Sequence, residues 1–77
     1  MRKLQVLGVG CAKCEALFRN ADVAARELGL EYSIEKVSEL SQIMAFRVMM
    51  TPALVVDGQV KLVGKASDVE SIKKLLE

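Results

Sequence analysis

The 77-residue sequence contains no histidine and no tryptophan, and it has only two cysteines, Cys11 and Cys14. A closed structural zinc site needs four cysteine or histidine ligands, which one chain cannot supply. Aromatic residues make up 4% and the net charge is +1, so we expect neither a stacking platform nor a basic patch for nucleic acid. No apolar run approaches the roughly 20 residues of a membrane span. These absences argue against nucleic acid and membrane as partners.

The N-terminus, MRKLQVLGVGC, has the order of a lipoprotein signal: a basic start, an apolar run and a cysteine. The apolar part covers only residues 4–9 and is interrupted by Gln5 and Gly8, which is too short for the usual signal. Cleavage before Cys11 would also remove the best strand of the sequence. We therefore expect a cytoplasmic protein, and in that compartment a disulfide is normally transient or catalytic.

Hydrophobic residues make up 52% and charged residues 27% of the chain, which predicts one small globular domain over residues 1–77. Apolar spacing alternates between strand and helix periods along the sequence. The predicted elements are a strand over 4–9, a helix over 12–28, a half-exposed strand around Tyr32 and Ile34, a helix ending at Phe46, a buried strand over 53–56, a strand over 59–63 and a helix opened by Ser67.

Local signals set the ends of these elements. Gly29 ends the first helix, and Asp57-Gly58 predicts a two-residue hairpin. The order Ser67-Asp68-Val69-Glu70 is typical of a capping box. Either Ser38 or Ser41 is expected to cap the second helix. The residues expected to point inward from that helix region are Leu40, Ile43, Met44 and Val48.

The resulting order is βαβαββα. Right-handed crossovers make the first two strands parallel neighbours, and the hairpin adds an antiparallel pair. We therefore predict an α/β fold with a four-stranded mixed sheet and helices on both faces. The first and third strands should lie in the middle of the sheet, and the second should lie at an edge.

The two cysteines, separated by two residues, admit several uses. A disulfide over so short a loop contributes roughly 2 kcal/mol, against about 4 for one tying half the chain together, so a stabilising bridge would lie elsewhere. Zinc would require two chains sharing one ion. Cu(I) accepts two thiolates, and small copper-chaperone domains carry such a motif after their first strand. Those domains end on a strand, whereas this chain ends on a helix, so copper delivery stays the alternative.

Thiol exchange needs two unequal cysteines, and the helical pattern predicts this asymmetry. Cys14 lies on the apolar face with Leu17 and Phe18, whereas Cys11 precedes the helix, where unpaired N–H groups and the helix dipole favour a thiolate. The pKa of Cys11 should therefore lie below the usual thiol value of about 8.5. Lys13 should assist this effect and Glu15 should oppose it.

Two segments of the sequence, GCAKC and MMTPALVVDGQVKLVGK, are similar to segments of a known protein superfamily. A motif of this kind after the first strand, with Thr51-Pro52 before the third, resembles the thioredoxin/glutaredoxin superfamily. The chain is most similar to the short thioredoxin-like "small redox-active disulfide" proteins of archaea and bacteria. The likeness covers essentially the whole chain, and it implies the thioredoxin-like fold and a thiol–disulfide oxidoreductase.

The resemblance also assigns roles to residues. It implies that Cys11 attacks a substrate disulfide, that Cys14 resolves the mixed disulfide, and that no cofactor takes part. It implies a cis bond between Thr51 and Pro52, with Thr51 offering its backbone to the substrate and Met50 contributing to docking. The implied partners are disulfide-containing proteins and a dithiol reductase such as thioredoxin reductase. Met49 is expected to be exposed beside Met50 and to share this docking surface. Met44, Met49 and Met50 would also add soft sulfur for a metal such as Cu(I), but methionines in an apolar run are more often packing residues.

The sequence departs from the better-known members at several positions. Its motif is Cys-Ala-Lys-Cys rather than the Cys-Gly-Pro-Cys of thioredoxins or the Cys-Pro-Tyr-Cys of glutaredoxins. Thioredoxins bury a carboxylate in the strand before the motif, where this chain has Gln5, which leaves Glu15 or water as the candidate proton acceptor for Cys14. The region where glutaredoxins bind glutathione has no clear match at its counterparts, Gly64, Lys65, Ser67 and Asp68.

Overall fold

A computed structural model describes residues 2–9 and 12–76 of the chain. Its strands form one four-stranded sheet in the order β2-β1-β3-β4. The elements are β1 (Arg2–Leu7), α1 (Ala12–Glu27), β2 (Tyr32–Val37), α2 (Leu40–Ala45), β3 (Ala53–Val56), β4 (Gln59–Val63) and α3 (Val69–Leu76). The predicted fold class is confirmed. Within the described ranges, no helix is long and apolar enough to cross a membrane.

The sheet is mixed, as predicted. β1 lies parallel to β2 and antiparallel to β3, which in turn pairs antiparallel with β4. The Asp57-Gly58 turn joins the last two strands with positive φ at both residues, 51° and 83°, as a type I′ hairpin requires. β1 and β3 are the central strands, and β2 lies at an edge.

The two faces of the sheet carry different apolar clusters, because successive side chains of a strand point to opposite faces. Leu4 and Val6 belong to the larger cluster with α1 and α3, in which Leu17 and Ile72 are fully buried. Leu7 belongs to the smaller cluster on the other face, beside α2. Because of this alternation, the sheet packs against the two helices α1 and α3 on one face and against the short helix α2 on the other.

β1 ends two residues earlier than the sequence predicts. It stops at Leu7, and Val9 is 66% exposed rather than buried. Gly8 still donates its backbone N–H to the Val37 carbonyl at 3.0 Å. The chain leaves the sheet after this bond, so Val9 is not paired in the sheet and is largely exposed.

The predictions for α2 were partly wrong. Its cap position is Glu39, which makes no side-chain capping bond, so neither Ser38 nor Ser41 caps it. Ile43 is buried as predicted, but Leu40 and Met44 are 65% and 64% exposed. A six-residue helix makes fewer than two turns, so few of its side chains reach the sheet.

The start of α3 is displaced by one residue from the predicted capping box. The Asp68 carboxylate accepts the backbone N–H of Ser71 at 2.9 Å, which makes Asp68 the cap in place of Ser67. The Ser67 carbonyl instead accepts a bond from the Asn20 side chain at 3.0 Å, and so joins the start of α3 to α1. The expected glycine at the end of α1 is confirmed, since Gly29 has a φ of 69°.

Candidate active site

Four segments meet at one end of the sheet. Leu7, the last residue of β1, lies opposite Val37 at the end of β2 and opposite Ala53 at the start of β3. Ala53 in turn lies opposite Val63, the last residue of β4. Because Gly8 directly follows β1 and Pro52 directly precedes β3, the register places these two residues at neighbouring positions on this end.

Cys14 lies in the first turn of α1 and is 6% exposed, as predicted for the inward cysteine. Its sulfur lies against the backbone of Gly8: a Cβ added at Gly8 would come within 2.1 Å of Cys14 Sγ. Any other residue at position 8 would overlap the sulfur. The predictions for Cys11 fall outside the described residues, as does Gly10.

Cys14 also lines a pocket of about 350 Å³ between α1, β1 and the end of β2. The pocket surface is mainly apolar, and the residues that line it are Val6, Gly8, Val9, Cys14, Glu15, Lys36 and Ser38. This pocket lies on the β2 side of β1, whereas Thr51 and Pro52 lie on the β3 side. Two different surfaces therefore lie on the two sides of the end of β1.

Two charged side chains of the pocket form an ion pair. Lys36 Nζ lies 2.5 Å from Glu15 Oε1, and both side chains are about half exposed. The same ammonium lies 5.0 Å from the centre of the Phe18 ring, within the range of a cation–π contact. Lys36 is therefore anchored at two points beside the pocket that Cys14 lines.

On the β3 side of β1, the peptide bond between Thr51 and Pro52 is cis. Pro52 is buried and Thr51 is exposed. The Pro52 carbonyl accepts the backbone N–H of Gly64 at 2.8 Å, which ties this turn to the loop after β4. Met50 lies beside Gly64, since a Cβ added there would be 3.3 Å from its terminal methyl.

The three methionines of this region are exposed, which contradicts their interpretation as packing residues and agrees with the exposure that the resemblance implies for Met49 and Met50. Met44, Met49 and Met50 have exposed fractions of 64%, 94% and 61%. Met49 and Met50 directly precede Thr51, so they form an apolar surface beside the cis peptide bond.

Gln5 lies on the sheet face opposite Cys14. Its side-chain amide donates to Glu35 Oε1 at 2.8 Å, and the two residues are register partners on neighbouring strands. Val6, the next residue, is the one that lines the Cys14 pocket. Thus β1 presents an apolar side chain, and no titratable one, to this pocket.

Of the predicted modulators, the structure brings Glu15 to the pocket and leaves Lys13 exposed outside it. Sequence reasoning missed Gly8 and Lys36. A glycine at the end of a strand pattern is a signal of close backbone approach. Lys36 continues the two-residue spacing of Tyr32 and Ile34, the side chains of β2 that face inward. A charged residue at such an inward position was the signal that could have identified it.

Comparisons with known proteins give the chemical context of this site. Residues 2–77 match the family described as Thioredoxin domain. The chain is 42% identical over 76 residues to a protein named thioredoxin from Methanothermobacter thermautotrophicus, covering 99% of both chains. It is 34% identical over 74 residues to a thioredoxin from Methanocaldococcus jannaschii, covering 96% of this chain and 85% of the relative. None of these names supports the copper-delivery alternative.

Proposed function

Because this chain belongs to the thioredoxin family and is a thiol–disulfide oxidoreductase, we propose that it works as a dithiol carrier in which Cys11 and Cys14 have separate roles. The observation that carries this proposal is the burial of Cys14 against Gly8. A sulfur enclosed in this way does not reach a protein substrate. It is suited to an internal attack on a partner already linked to Cys11.

The exchange proceeds in two displacements. The Cys11 thiolate attacks one sulfur of a substrate disulfide, a mixed disulfide forms, and the other substrate sulfur leaves as a thiolate. Cys14, as a thiolate, then attacks Cys11 Sγ and releases the second substrate thiolate. The substrate gains two electrons and the chain loses two, which leaves a Cys11–Cys14 disulfide. An external dithiol reductase such as thioredoxin reductase then reduces this disulfide again.

The substrate is proposed to dock on the β3 side of the motif. Thr51 is exposed beside a buried Pro52, so its backbone is accessible to an extended substrate segment. Met50 contributes flexible apolar contact area from its position beside Gly64. Lys13, exposed in the first turn of α1, adds positive charge near Cys11.

The cytoplasm is the proposed location. A reducing compartment keeps a disulfide of this kind transient, so that the chain can cycle. The matched archaeal relatives are themselves named thioredoxins.

Trapping tests the assignment of roles. Cys14→Ser should accumulate a mixed disulfide with a disulfide-containing protein such as insulin, because the resolving sulfur is gone. Cys11→Ser should accumulate none and should not reduce insulin. Non-reducing electrophoresis with mass spectrometry measures both. Trapping by Cys11→Ser and not by Cys14→Ser would reverse the assignment.

A further inference from the structure

All three methionines that the structure describes have exposed side chains. Met44 lies in α2 and is 64% exposed, and Met49 and Met50 in the segment after α2 are 94% and 61% exposed. Methionine is ordinarily one of the more buried residue types and fills gaps in cores. Exposure of this degree leaves the thioether groups open to reagents in the solvent, which a position in the core would prevent.

Met49 and Met50 differ from Met44 in their position relative to the site. They directly precede Thr51 and its cis bond to Pro52, on the surface where a protein substrate is proposed to dock. Met44 belongs to α2, the short helix before this segment. A chemical change at Met49 and Met50 therefore alters the docking surface, and Met44 offers an exposed methionine for comparison.

The thioether of Met50 covers Gly64 in the loop after β4. A Cβ added at Gly64 would lie 3.3 Å from Met50 Cε and 3.5 Å from Met50 Sδ. The Gly64 N–H donates to the Pro52 carbonyl at 2.8 Å, so this loop is fixed to the turn that carries the cis bond. An oxygen atom added to Met50 Sδ has to fit against this loop or point into the solvent. Either position changes the apolar surface beside the cis bond.

A thioether reacts with hydrogen peroxide in one two-electron step. The sulfur lone pair attacks one peroxide oxygen, an S–O bond forms and the O–O bond breaks. The leaving hydroxide takes up the proton of the transferred oxygen and becomes water. The sulfur is thereby oxidised to a sulfoxide, which is polar and chiral and disrupts methionine-rich interfaces.

The disulfide form of the chain directs this reaction to the methionines. Cysteine reacts with peroxide as its thiolate, and a Cys11–Cys14 disulfide contains no thiolate. The thioethers are then the sulfur groups that remain for peroxide. Oxidation at Met49 and Met50 thus takes place in the form of the chain that oxidising conditions favour.

We propose that Met49 and Met50 are sites of oxidation by peroxide and that their oxidation weakens the docking of protein substrates. This inference rests on the proposed function. Two sulfoxides replace flexible apolar area by polar groups that a docking substrate has to desolvate. Small disulfides, which need no docking surface, still react with the cysteine pair. Enzymes reduce each sulfoxide epimer again, so this control is reversible.

The test starts from the disulfide form of the full chain. The protein is treated with hydrogen peroxide, freed of it and reduced with dithiothreitol, and mass spectrometry of its peptides locates the sulfoxides and checks the cysteines. The second-order rate constant for insulin reduction should fall by about tenfold. That for dithio-bis-nitrobenzoate should stay within about twofold. Treatment with methionine sulfoxide reductases should restore the insulin rate.

Variants separate the two docking methionines from the rest of the chain. A double variant with Met49→Leu and Met50→Leu has no sulfur at these positions, so peroxide should leave its insulin rate at its own untreated value. The double variant with Met49→Gln and Met50→Gln should reduce insulin slowly without peroxide, because its surface is already polar. Met44→Leu should lose insulin activity on oxidation to the same extent as wild type.

The inference is overturned if Met49 and Met50 resist oxidation, or if the protein carrying both sulfoxides reduces insulin at its untreated rate. It is also overturned if the double leucine variant is slowed as strongly as wild type. Equal losses with insulin and with the small disulfide would place the effect in the exchange chemistry and not in docking, which also contradicts it. Untreated wild-type protein that reduces neither disulfide would instead contradict the proposed function.

Discussion

At the scale of single residues, the contact between Gly8 and Cys14 decides how the motif is built. The sulfur occupies the space that any side chain at position 8 would need, with 2.1 Å between Sγ and an added Cβ. Gly8 does not have a positive φ, so the requirement for glycine there is one of space and not of backbone conformation. The absence of a Cβ atom at position 8 therefore leaves room for the inward position of the Cys14 sulfur.

Replacing Gly8 by alanine should therefore force Cys14 Sγ from its position. We expect Gly8→Ala to destabilise the reduced protein by about 1–3 kcal/mol, the usual range for overpacking. The free energy of unfolding in urea, followed by far-UV circular dichroism, measures the effect.

The Cys14→Ala background supplies the matched control. It removes Sγ and leaves only the Cys14 Cβ position, 3.1 Å from the added methyl. Gly8→Ala should cost clearly less in that background, because the main overlap is gone. Equal costs in both backgrounds would show that the sulfur is not what restricts position 8.

At the scale of the elements, the start of α3 shows how a cap shifts by one residue. Asp68 accepts the Ser71 N–H, and this bond, the largest cause, lowers the pKa of the Asp68 carboxyl below its usual value. A carboxyl whose pKa is lower in the folded state stabilises the fold above the unfolded-state pKa. That contribution is lost as the pH falls through the folded-state pKa.

Asp68→Ala should lower the melting temperature at neutral pH, whereas Ser67→Ala should change it little. Asp68→Asn keeps a capping oxygen and should lie between wild type and Asp68→Ala. The difference between wild type and Asp68→Ala should shrink as the pH falls through the lowered folded-state pKa of Asp68. Thermal unfolding at several pH values checks this order. A larger effect of Ser67→Ala would restore the capping box predicted from the sequence.

Element types were predictable along the described chain, because helix and strand periods are local properties of the sequence. β3 and β4 have the predicted bounds, since the Asp57-Gly58 turn and the buried run before it are strong signals. The errors lie at the ends of β1, α2 and α3. Those ends depend on tertiary bonds, such as that from Gly8 to Val37 and that from Asn20 to Ser67.

At the scale of the whole molecule, two leucines with the same predicted inward position differ in how deeply they are buried. Leu17 of α1 is fully buried in the larger cluster, and Leu40 of α2 is 65% exposed. Both were expected to point inward. The long α1 covers one face of the sheet together with α3. The short α2 buries one of its side chains, that of Ile43.

The two leucines provide a matched pair of substitutions. Leu17→Ala should cost about 2–5 kcal/mol, the range for a large-to-small change in a core. Leu40→Ala should stay within about 0.5 kcal/mol of wild type, as exposed substitutions do. Urea denaturation of both variants measures this difference. A cost at Leu40 similar to that at Leu17 would mean that a partner or a second copy covers α2.

The sequence by itself determined the βαβαββα order, the mixed sheet and the cysteine motif with its inward Cys14, because spacing, turn residues and helix periodicity are read within a few neighbouring residues. Only the tertiary structure decided that Gly8 accommodates the Cys14 sulfur and that Lys36 meets Glu15 beside it. Those contacts join residues that are adjacent only once β1, β2 and α1 have packed together. Side chains brought together by strand pairing and helix docking leave little trace in a linear pattern.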